Sequence, residues 1–152
     1  MRQLLVQSGN ATPLVFVAKE SLPSWLEQQN EVVKSWVSQL SKTKPKFIAV
    51  PSQDGAISMV VVLTESLEDC WLAGDLATLL PKGIYSVDGS KDFVEKVAFS
   101  FVMGGYQFDA YKTLDVVEAK LLVTDSAIYD RVNRVTEALY LARDLVNTPA
   151  LS

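Results

Sequence analysis

Three carboxylates crowd one short stretch, Glu65, Glu68 and Asp69, and two more, Asp125 and Asp130, open another. Carboxylates that converge on one point can hold a hard divalent cation or share acid–base work. Each of these groups, however, stands just before an apolar-periodic segment. There a negative side chain takes up unpaired backbone amides and meets the positive end of the helix dipole, so the spacing reads as helix capping. Cys70 is the only cysteine and directly follows Asp69, whose charge disfavours a thiolate. With no base nearby it reads as inert. Trp25, Trp36 and Trp71 could offer a stacking surface, but all three sit among aliphatic residues on expected helical faces and read as packing residues. Neither G-x-G-x-x-G nor G-x-x-x-x-G-K-[ST] occurs. Gly104-Gly105 follows a helical stretch, whereas a phosphate cradle needs amides at a helix start, so the pair reads as a helix-ending turn or a close packing contact.

Histidine is absent altogether. That removes Ser-His and Cys-His nucleophile pairs, the H-E-x-x-H zinc helix and any imidazole proton shuttle. Together with the lone cysteine it also removes the usual zinc cages. No residue of the 152 is therefore assigned a catalytic, cofactor-binding or metal-binding role.

The same chain is well equipped to fold. Its length suits one domain, and 49% of its residues are hydrophobic. Fourteen basic against 18 acidic side chains leave a net charge of −4, the wrong sign for a surface that displaces counterions from nucleic acid. The basic run KTKPK (Lys42–Lys46) is short and reads as a solvated loop. The longest apolar runs, such as MVVVL (Met59–Leu63), are far too short to span a bilayer, and no secretory leader is legible.

Strands are expected at Gln3–Gln7, Pro13–Ala18, Lys46–Ser52, Ala56–Thr64, Gly83–Gly89 and Ala119–Thr124. Asp54-Gly55 marks a hairpin, and the β-branched run Met59–Leu63 marks a strand buried on both faces. Helices are expected over about 24–40, from a Ser24/Glu27 capping box with Pro23 just outside, and over about 69–80, from a Ser66/Asp69 pair. A third begins near 90 and is weakened or ended at Gly104-Gly105. A fourth is capped by Asp125, with Ile128, Val132, Val135, Leu139 and Leu145/Val146 facing inward. Interleaved strands and helices predict an α/β domain: a mixed, mostly parallel sheet with helices on both faces.

One stretch points further. ALYLARDLVNTPA (Ala138–Ala150) resembles a signature of the cytosol (leucyl) aminopeptidase family, in which a helix ending A-R-D-L-x-N-x-P-A joins an N-terminal domain to a metallopeptidase domain. FVMGGYQFDAYK (Phe101–Lys112) is similar to a second family stretch, and LAGDLATLLPKGIYSVDG (Leu72–Gly89) to a helix–strand element of one bacterial branch. The chain departs from the pattern at Leu151, where another asparagine is usual, and at Gln107 and Ala110, where basic residues are frequent.

The resemblance implies a macro-domain-like fold for residues 1–146, a non-catalytic domain, with 147–152 beginning a linker to an absent C-terminal metallopeptidase domain. It implies a parent exopeptidase that removes N-terminal residues from peptides with two divalent metals, Zn²⁺ or Mn²⁺. Their ligands would lie beyond Ser152. It further implies packing on that catalytic domain, assembly as a hexamer, a cytoplasmic location and, in some members, a part in nucleic-acid binding, against which the net charge of −4 speaks here; the short apolar runs leave no membrane as partner. The alternative expectation is a stand-alone macro-like module that binds a nucleotide-type ligand at the sheet's C-terminal edge; DNA binding ranks third.

Overall fold

A computed structural model of the protein describes residues 4–43, 46–52, 54–69, 72–111 and 119–147. Its strands are β1 (Leu5–Val6), β2 (Thr12–Ala18), β3 (Phe47–Pro51), β4 (Ile57–Thr64), β5 (Gly83–Val87) and β6 (Ala119–Leu122). Its helices are α1 (Leu22–Glu27), α2 (Glu31–Leu40), α3 (Leu76–Leu79), α4 (Lys91–Tyr111) and α5 (Ser126–Asn147). The strands join into one sheet in the order β1-β6-β5-β2-β4-β3, parallel throughout except for the antiparallel β3–β4 pair. The expected mixed, mostly parallel α/β architecture is what the chain adopts.

Connection direction explains the layering. From β2 the chain moves one way across the sheet, through α1, α2 and β3, to β4. From β4 it moves the other way, through α3 and α4, to β5 and β6. Right-handed crossovers in opposite directions must lie on opposite faces. Side chains follow with period two. Leu14, Phe16, Val60, Val62 and Tyr85 face a large core with Val97, Phe101, Ile128 and Val132 from α4 and α5. Val15, Val17, Ile48, Val50 and Val61 face a smaller one with Val33 and Val37 from α2. The strand expected to be buried on both faces is β4: Val60, Val61 and Val62 are all buried although their side chains alternate.

Between β1 and β2 the chain makes no hairpin. Residues 7–11 cross β6 and β5, and Gly9 passes so close that a Cβ there would sit 2.7 Å from Ile84 Cδ1, at a φ of +136°.

Four expected elements differ in detail. The helix expected over 24–40 is two helices, because Asn30 interrupts it: its side chain accepts from the Val33 amide at 2.9 Å and starts α2 afresh. Pro23 lies inside α1, whose cap position is Ser21, so Ser24 and Glu27 form no capping box. The helix expected over 69–80 is only Leu76–Leu79 among the described residues. Ahead of it the Ala73 amide is taken by the buried Ser100 hydroxyl of α4, at 3.1 Å, rather than by its own helix. α4 runs straight through Gly104-Gly105 to Tyr111. The glycines are a packing contact: a Cβ on Gly104 would lie 1.6 Å from the Gly74 carbonyl oxygen, so only glycine lets the two backbones meet.

The inner face of α5 also differs. Ile128, Val132, Thr136 and Tyr140 are buried, while Val135, Leu139 and Leu145 are exposed. The buried stripe follows a strict i, i+4 ridge, as a helix does where it packs across a neighbour at an angle. Its polar members are satisfied: Thr136 Oγ1 donates to Val132 O at 2.7 Å, and Tyr140 OH donates to Val102 O of α4 at 2.6 Å. The Tyr140 bond ties the two long helices together.

Candidate functional site

Glu65, Glu68 and Asp69 follow β4 in an exposed turn, and the next helix among the described residues begins at Leu76. Glu65 pairs with Lys19 at 2.6 Å. Ser66 organises the rest: its hydroxyl accepts from the Glu68 amide at 3.1 Å, and its carbonyl from the Asp69 amide at 3.4 Å. Asp125 does cap α5. One of its oxygens accepts from the Ala127 amide at 2.9 Å and the Ile128 amide at 3.2 Å. The Ile128 amide, the Ala127 amide and the Lys91 ammonium hold this carboxyl below its ordinary range, in that order of weight. Asp130 is exposed on the first turns of α5. Among the described residues no three His, Cys, Asp or Glu side chains come together as a metal site.

Trp25 packs against the smaller core, and Trp36 turns its indole to the sheet edge, where Nε1 donates to Ala49 O at 3.0 Å. Trp71, Cys70, residues 148–152 and the side chains of Gln107 and Ala110 lie outside what the structure describes.

A cavity of about 440 Å³ lies where the connections after β2 and β5 depart to opposite faces, lined by Pro13–Phe16, Leu67, Asp88, Ser90 and Phe93. In open α/β sheets this switch point, at the carboxyl ends of the strands, is where ligands bind. Sequence reasoning singled out none of these residues; the strand order, which creates the crevice, is not written in any local pattern. Its chemistry is poor for phosphate. The Ser90 hydroxyl already takes the Phe93 amide at 3.2 Å, and the Asp88 carboxylate adds negative charge. The walls are apolar, with Phe16 and Phe93 packed edge to face at 5.7 Å and Lys96 lying 5.4 Å from the centre of the Phe93 ring.

What the surface does carry is apolar. The second half of α5 exposes Val135 (44%), Leu139 (41%), Leu141 (66%) and Leu145 (80%) on more than one side. A helix that is apolar around much of its girth is normally enclosed by other protein.

The family model described as M17 aminopeptidase, N-terminal domain, matches residues 12–124. Among solved structures, the cytosol aminopeptidase from Coxiella burnetii superimposes with a TM-score of 0.83 at 28% sequence identity. The match covers 97% of this chain and 33% of that one, so this chain spans about a third of its relative's length. No curated protein sequence matches it.

Proposed function

This chain belongs to the M17 aminopeptidase family through its N-terminal domain, and on that premise we propose that it serves a metallo-exopeptidase as a non-catalytic, architectural part. We assign the cleavage of N-terminal residues from peptides, with two Zn²⁺ or Mn²⁺ ions, to a separate catalytic domain, a reading supported by this chain's covering only 33% of the Coxiella enzyme. Two cations there would polarise the scissile carbonyl and supply hydroxide, chemistry that needs no histidine. Residues 1–146 form the domain and 147–152 lead into the linker. The assembly is a homo-oligomer, a hexamer in its complete form, and works in the cytoplasm.

The observation that carries this reading beyond the family match is the apolar girth of α5's second half, at Val135, Leu139, Leu141 and Leu145. We assign that surface to packing on the protein's own catalytic domain. No helix among the described residues is long and apolar enough to cross a membrane, so a lipid-spanning role does not compete for it.

The test is direct. The purified 152-residue chain, given leucyl-anilide with Mn²⁺ or Zn²⁺, should release nothing; turnover that scales with the purified chain would overturn the assignment. The cavity at the switch point keeps the nucleotide-type reading in second place. Calorimetry with ADP-ribose should give no micromolar binding, because the cavity turns a carboxylate and an occupied helix start toward any phosphate.

A further inference from the structure

We propose that Trp36 closes the β3 edge of the sheet against strand addition, and that without it two copies of this chain pair β3 to β3. Among the described residues β3 is the terminal strand, with β4 on one side and no strand on the other. Such an edge presents unpaired amides and carbonyls to any passing chain. In an antiparallel pair, outward-facing groups fall on alternate residues. The indole of Trp36 arrives from α2, over the edge, to bond Ala49 O. That places Ala49 among the outward residues, with Phe47 and Pro51 two positions to either side.

Each outward position but one is then blunted. Ala49's carbonyl is occupied by the indole. Pro51 has no amide to offer, and the register shifts between Val50 and Pro51, so the edge bends away from a straight template. Phe47 and the Ala49 amide are left, and Trp36 stands beside them. Trp36 is 41% exposed, with Val32 (57%) and Leu40 (37%) forming a ridge one turn away on either side. A tryptophan placed for the core would be buried; this one is spent on the edge. The inference stands on α2 and β3 alone and is independent of the catalytic partner proposed for α5, which lies against the opposite face of the sheet.

Backbone hydrogen exchange on the whole chain tests it. In the unaltered protein the Phe47 and Ala49 amides should exchange at a rate independent of protein concentration. In Trp36→Ala both should gain protection, at least about tenfold, as concentration rises from about 10 μM to about 1 mM, the range in which a small interface saturates. Sedimentation should show a dimer appearing over the same range. Ala49→Pro added to Trp36→Ala removes an outward amide without touching the β4 ladder, and should return the monomer. Trp36→Phe keeps the bulk and loses the donor, and serves if the alanine variant does not fold; it should pair more weakly than alanine but in the same register. Folded variants whose Phe47 amide stays unprotected at high concentration would overturn the proposal. So would association that Ala49→Pro leaves unchanged.

Discussion

The two sides of the sheet are built to different depths. Against one, α3, α4 and α5 enclose a core that runs from Leu4 to Tyr140, and polar groups inside it are bonded: Ser100 to Ala73 and Val97, Tyr140 to Val102. Against the other, α1 and α2 cover four buried strand residues, Val17, Ile48, Val50 and Val61, with Val33 and Val37 of α2, and α2 leaves Val32, Trp36 and Leu40 exposed. The deep side fixes the fold. The thin side closes half the sheet and guards its edge.

The sharpest way to break that division is to open the deep core. Phe101→Ala, at a fully buried position, should cost about 4 kcal/mol of unfolding free energy by urea titration. Next comes Gly104→Ala, which must push α4 off the Gly74 carbonyl. It should cost about 3 kcal/mol, the high end for overpacking, because the obstacle is backbone. Val37→Ala, equally buried on the thin side, should cost only about 2 kcal/mol. If Val37→Ala proved as damaging as Val97→Ala, an equally buried valine of α4, the two sides would be equals and the comparison would fail.

Titration gives the smallest effect, and it too reports on the deep side. Glu95 of α4 is held below its ordinary value of 4.5, first by the hydrogen bonds from Arg131 of α5 and opposed by partial burial. One of those bonds, from Nη2, measures 2.9 Å. A depressed carboxyl contributes stability that is present above its unfolded value and is lost as pH falls through the folded one. Unfolding free energy should therefore decline below about pH 4.5, and Glu95→Gln should flatten that decline. Burial raises the Tyr85 hydroxyl above 10.0, so its contribution is complete below pH 10 and fades as pH climbs past it.

Much of this architecture was legible before folding. Asp54-Gly55 announced the β3–β4 hairpin, the β-branched run announced β4, and Asp125 announced the start of α5; each is a local signal answered by local geometry. The candidate surfaces were less so. Val135 and Leu139 were expected inside because they fit a 3.6-residue period, but the packed ridge follows i, i+4 where α5 crosses α4. Asn30, inside the helix expected over about 24–40, proved to be a cap.

By itself, then, the sequence determined the kinds of element, their order, the burial of β4 on both faces and the absence of histidine chemistry. All of these depend on residues near one another in the chain, through backbone sterics, turn preference and period. Only the tertiary structure decided that Gly104 must be glycine, that Trp36 belongs to a strand edge, that a crevice opens between β2 and β5, and which side of α5 stays bare. Each of those depends on what a distant segment brings to the same place. Apolar periodicity says that a face must be covered and is silent on what covers it, because the hydrophobic effect has no direction.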